Sequence, residues 1–126
     1  MIMNFNNRDP VYVQVVRKFK EEIATGTIDP GEAIPSRREL ANKLKINPNT
    51  AQRAYKEMEE QGLIHTEGNL PSKITKDEKV LESVRGELIE EAVDSFVASI
   101  HSINVPLDEI VGLIREKYTS GGDKHD

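Results

Sequence analysis

The stretch "NPNTAQRAY", residues 47–55, decides how this chain is read. Asn47 is a good helix N-cap, and Pro48 suits the first helical position because its missing N–H would be unpaired there anyway. Ala51, Ala54, Tyr55 and Met58 then fall on one helical face, and Gln61-Gly62 closes the element. The other face opens with Asn49, Thr50, Gln52 and Arg53, all hydrogen-bonding side chains. Such a helix buries one side and leads with amides and a guanidinium on the other.

Working upstream, Ser36-Arg37-Arg38-Glu39 is a capping box, with Ser followed three residues later by Glu. Leu40, Ala41 and Leu44 give the short helix behind it an apolar face. Two short helices separated by a few residues follow the helix-turn-helix plan. A further helix precedes them. Asp9 is its expected cap, Pro10 its expected first residue, and Tyr12, Val15, Val16, Phe19 and Ile23 its buried stripe, ended at Thr25-Gly26. Downstream, "LIHT" at 63–66 and "SKIT" at 72–75 read as two short strands around "EGNLP", a small hairpin or wing. The expected fold is mainly α with a small β-hairpin: a winged helix-turn-helix over residues 1–78.

Residues 79–126 read as a C-terminal two-helix region. A long helix over 79–103 carries Leu81, Val84, Leu88, Ala92, Phe96 and Ile100, and "NVP" at 104–106 breaks it. A last helix carries Ile110 and Ile114, followed by the polar tail "SGGDKHD", expected to fray. Two helices alone seldom bury enough apolar surface to be stable. The stripe through Leu81, Val84, Leu88, Ala92, Phe96, Ile100, Ile110 and Ile114 is therefore expected to cover a symmetric partner, making a homodimer. The alternative is that the long helix folds back on its own winged helix.

The formal net charge is −5, but its distribution is uneven. Residues 35–56 hold six basic side chains (Arg37, Arg38, Lys43, Lys45, Arg53, Lys56) against one acidic side chain, Glu39. Residues 79–126 hold five basic and ten acidic side chains. Fields at physiological salt fade over about 8 Å, so the local excess matters more than the average. In a helix-turn-helix the second helix enters the major groove of double-stranded DNA and its first residues face base edges. Asn49 and Gln52 suit adenine, Arg53 suits guanine, and Thr50 suits a base, a phosphate or the thymine methyl. Ser36, Arg37 and Arg38 stand at a helix N-terminus, which favours phosphate.

Other chemistries find little support. The chain has no cysteine, which excludes disulfides and thiolate metal sites. His65, His101 and His125 have no ligand spacing, so no metal and no cofactor are expected. No phosphate-binding glycine loop or nucleophile elbow is present, and the chain reads as a non-enzyme. No apolar run approaches the roughly 18 residues of a membrane span, and the N-terminus lacks a signal-peptide pattern; the expected location is cytoplasmic. The rival function is a winged-helix adaptor that binds protein instead of duplex DNA, suggested by the overall acidity. A small-molecule effector is compatible with the sequence, but no residue places its site.

The segment from "DPVYVQ" through "ATGTIDPGEAIPSRRELA" to "INPNTAQRAYKEMEEQGLI" resembles the winged-helix domain of the GntR family of bacterial transcription regulators. The short two-helix remainder resembles that family's YtrA-type branch, whose small C-terminal region dimerises. The resemblance implies a homodimeric repressor on a palindromic operator. It places DNA contacts at Ser36, Arg38, Asn47, Asn49, Thr50, Gln52 and Arg53. Two departures stand out. Gln52 replaces a frequent Arg, and the wing "GNLPSKI" at 68–74 lacks the family's second Gly and aromatic, leaving Lys73 as a phosphate contact at most.

Overall fold

The computed structural model describes residues 1–124. Among them lie five α-helices, one 3-10 turn and two short strands: α1 (Val11–Ala24), α2 (Arg37–Leu44), α3 (Pro48–Glu60), β1 (Ile64–His65), β2 (Lys73–Ile74), α4 (Glu78–Ile100), the turn His101–Ile103, and α5 (Leu107–Lys124). The chain divides into two units, Met1–Leu88 and the remainder from Ile89. The boundary lies inside α4, ten residues beyond the expected limit at residue 78. Val84 is buried, and Val80, Leu81 and Leu88 pack against the winged-helix core, so the first turns of α4 belong to that core.

The first unit is organised around α3. Val15, Val16, Phe19 and Ile23 of α1, Leu40 and Ala41 of α2, and Ala51, Ala54, Tyr55 and Met58 of α3 are all buried. Phe19 and Tyr55 meet edge to face, with centroids 6.2 Å apart. The Tyr55 hydroxyl donates to the Pro35 carbonyl just before α2. One side chain thus ties α1, α3 and the entry to α2 together.

The caps of α2 and α3 form as the residues predict. Glu39 N donates to Ser36 Oγ and Ser36 N to Glu39 Oε1, both at 3.1 Å. Asn49 N donates to Asn47 Oδ1 at 2.8 Å, with Pro48 at the first helical position. The turn between them needs a left-handed residue, and Lys45 takes it at φ 56°. The start of α1 differs from expectation. Pro10 is the cap and the helix begins at Val11. Asp9 does not cap, because Asn6 Oδ1 accepts from the Arg8 and Asp9 N–H groups and Gln14 Nε2 donates to the Asn6 and Asp9 carbonyls. This loop carries Met1, Met3 and Phe5 onto the core, which periodicity did not suggest.

The hairpin pairs Ile64 with Ile74 and His65 with Lys73. A third segment joins its other edge: Ala33 bridges Lys73, Ile34 N donates to Ser72 O, and Ile74 N to Glu32 O. The segment before α2 therefore braces the wing.

In the second unit, α4 ends at Ile100 and Asn104 turns the chain with φ 57°. The chain does not fray at Ser120: α5 continues through Gly121, which is helical and lacks the positive φ of a terminating glycine. His125 lies outside the described residues. Ile89, Val93, Phe96 and Val97 are 40–52% exposed, and Leu107, Leu113 and Ile114 are 47–71% exposed.

Tyr55→Phe leaves the half-buried Pro35 carbonyl without its donor. The loss is expected to be about 1–3 kcal/mol, read as a lower urea midpoint at constant slope. An unchanged midpoint would show that this bond does not hold α2 to α3.

Candidate nucleic-acid interface

The polar start of α3 is exposed where the sequence placed it. Asn47, Asn49, Gln52 and Arg53 are open to solvent, and Thr50 is half-buried. Their outward aim follows from what the opposite face must do: Ala51, Ala54, Tyr55 and Met58 are less than 1% exposed. Small Ala side chains at 51 and 54 let neighbouring helices approach closely, which fixes the rotation of α3 and so the direction of Asn49, Gln52 and Arg53.

Arg53, though exposed, has a partner in Tyr12 of α1. Its guanidinium carbon lies 4.0 Å from the Tyr12 ring centroid, and Nη2 donates to the Tyr12 hydroxyl at 3.2 Å. Tyr12 was expected in the α1 stripe; it packs against the core while its ring carries Arg53.

At the α2 terminus the two arginines separate. Arg38 is exposed beside Ser36. Arg37 turns inward: its guanidinium lies 5.1 Å from the Tyr55 ring centroid and pairs with Glu59 of α3. Arg37 is therefore a tie between the two helices, with its side chain still 33% exposed. Glu59, itself exposed, supplies that tie. Arg38, Lys43, Lys45, Arg53 and Lys56, all exposed, carry the outward positive charge. Lys73 is exposed on the wing, near His65 and Lys76.

Two ionisable groups report on this geometry. The Ser36 backbone N–H, and then its hydroxyl, hold the Glu39 carboxyl below its ordinary value. Burial pushes the Tyr55 phenol well above its ordinary value, against the opposing pull of Arg37. Tyr55 therefore stays a neutral hydrogen-bond donor throughout the working pH range.

The expected dimer residues divide into two sets. Val84 is buried in the core of its own winged helix, and Leu81 and Leu88, half-buried, pack against that core. Ala92, Phe96 and Ile114 are exposed, and Ile100 and Ile110 half-buried. Phe96, Ile100, Ile110 and Ile114 line an apolar groove within the second unit. Among the described residues, no group of three or more His, Cys, Asp or Glu is arranged to hold a metal ion. No described helix is long and apolar enough to cross a membrane.

Comparison with known proteins agrees with this geometry. Residues 11–73 match the profile of bacterial regulatory proteins of the gntR family. The HTH-type transcriptional repressor YtrA of Bacillus subtilis is 33% identical, the match covering 93% of this chain and 92% of that protein. A GntR family transcriptional regulator from Listeria monocytogenes superposes with a TM-score of 0.80 at 31% identity, covering 89% of this chain and 98% of that one. A transcriptional regulator from Oenococcus oeni superposes with a TM-score of 0.75, also at 31% identity, covering 94% and 98%.

The capping box gives a pH signature. Because the folded Glu39 value is depressed, its contribution to stability is full above the unfolded value of about 4.3 and is lost as pH falls through the folded value. Wild type is expected to melt above Glu39→Gln at neutral pH, with the gap narrowing as the pH drops below the ordinary carboxylate range. A gap independent of pH would contradict the charged cap.

Proposed function

The chain belongs to the gntR family of bacterial regulatory proteins, and from that premise we propose that it is a homodimeric repressor of a palindromic operator. It is a transcriptional regulator with a winged-helix DNA-binding domain; the proposal concerns how it reads DNA, in what assembly, and with what effect. The observation that carries it is the outer face of α3, where Asn49, Gln52 and Arg53 stand exposed, as do Arg38, Lys43, Lys45 and Lys56. In this reading Asn49, Gln52 and Arg53 address base edges, and Thr50 a base or phosphate. Ser36 and Arg38 hold the phosphate backbone at the α2 terminus, and Asn47 fixes the start of α3. Lys43, Lys45 and Lys56 add charge without sequence preference.

The second unit supplies the symmetry. Its exposed apolar side chains need covering, and a second copy covers them with one self-complementary patch. The seam runs through Ala92, Phe96, Ile100, Ile110 and Ile114. Two copies present two α3 helices to half-sites about 34 Å apart. Repression follows the sense of the YtrA relative, whose name describes a repressor. The site of action is the cytoplasm, where a bacterial chromosome lies.

Selection of bound duplexes from a random pool is expected to return a palindrome. Against that duplex, Arg53→Ala should lose about 1–3 kcal/mol and relax preference at one base in each half-site. Lys43→Ala should weaken every duplex alike and lower the salt slope by about one. Absence of duplex binding even in dilute buffer would favour a protein-binding adaptor instead. Phe96→Glu should sediment as a monomer; a fully dimeric variant would displace the seam from α4.

A further inference from the structure

We propose that Tyr12 is a positioning residue for base reading, holding the Arg53 guanidinium over its ring so that the donors left free address guanine. The inference rests on the reading that α3 enters the major groove. It assigns part of the sequence preference to α1, a helix outside the helix-turn-helix pair.

The geometry separates two uses of one side chain. The Arg53 guanidinium carbon lies over the Tyr12 ring, 4.0 Å from its centroid. A guanine O6/N7 pair is read by in-plane N–H donors. Contact through the ring face takes up none of these donors on the tyrosine's side. One donor, on Nη2, goes to the Tyr12 hydroxyl at 3.2 Å; arginine has five. The platform is itself fixed. Tyr12 packs against the core, and Gln14, on the same turn of α1, is bound to the Asn6 and Asp9 carbonyls. An unrestrained arginine must surrender rotamer freedom when it binds. Arg53 has surrendered much of it before DNA arrives.

The chemistry requires arginine and an aromatic together. Lysine has no planar face to stack and no fork, and leucine has no π-system. Phenylalanine keeps the stack and loses only the hydroxyl contact.

The test compares wild type, Tyr12→Leu, Tyr12→Phe, Arg53→Ala and the Tyr12→Leu/Arg53→Ala double variant. Each is titrated against the duplex selected by wild type, that duplex with the guanines of the proposed contact replaced, and a random duplex. Arg53→Ala should lower the guanine preference about 5- to 150-fold. Tyr12→Leu should lower it about 2- to 5-fold, the size of an exposed cation–π contact. The double variant should be no worse than Arg53→Ala, and Tyr12→Phe should keep most of the wild-type preference. Affinity of Tyr12→Leu for random duplex, and its salt slope, should stay near wild type. In the free protein, 15N relaxation should find Arg53 Nε ordered in wild type and Tyr12→Phe, and mobile in Tyr12→Leu.

An unchanged guanine preference in Tyr12→Leu would overturn the inference, as would equal loss on random and selected duplexes. If Tyr12→Leu does not fold, Tyr12→Phe decides: a mobile Arg53 Nε in that folded variant would equally overturn it. Sequence-selective wild type with an inert Arg53→Ala would sink this inference alone. Wild type that binds no duplex would sink the proposed function with it.

Discussion

The structure turns on a single buried tyrosine. Tyr55 of α3 is fully enclosed, crossed edge-on by Phe19 of α1, bonded through its hydroxyl to the Pro35 carbonyl, and covered by the Arg37 guanidinium. Each contact constrains a different neighbour. Phe19 sets the distance of α1 and Pro35 the entry to α2. Arg37, through Glu59, sets the rotation of α2 against α3. A binding helix is useful only if its outer face points in one direction, and these contacts fix that direction from within. The Tyr55–Pro35 bond is partly sheltered from water, where an unmade bond costs more than a made one contributes.

The same packing explains how an acidic protein can face a polyanion. The cations that matter are arranged on the outside of α2 and α3, and the excess acid belongs to residues 79–126. Arg37 shows that charge counting needs structure. It is the first arginine of a helix start that favours phosphate, yet it serves as an internal tie. Lys20 makes a similar point within the same unit, where it is almost buried and held at 3.0 Å by Glu87 of α4. That ion pair joins Val84 and Leu88 in fastening the first turns of α4 to the winged helix. Beyond Leu88 the helix leaves apolar side chains open to solvent.

What the sequence disclosed follows the range of the interactions. Ser36–Glu39 and Asn47–Asn49 are local pairs, and the helix starts they make were readable from residue type and spacing alone. The faces of α1, α2 and α3 were readable because burial imposes a period. Arg37–Glu59 and Arg53–Tyr12 were not readable, since their partners lie 22 and 41 positions apart. Nothing local marks Tyr12 as different from the apolar residues around it. The division of α4 was hidden for another reason: its buried and its exposed apolar positions draw on the same residue types at the same spacing. The third edge of the wing escaped notice because Ala33 and Ile34 sit in a segment dominated by turn residues.

The proposed DNA-facing surface consists of the exposed starts of α2 and α3, and a short duplex added to 15N-labelled protein in dilute buffer, with the backbone amides followed, puts it to the test. The largest shifts are expected at residues 36–39 and 47–53, with smaller ones near Lys73. Shifts confined to residues 89–121, or none at all, would contradict it.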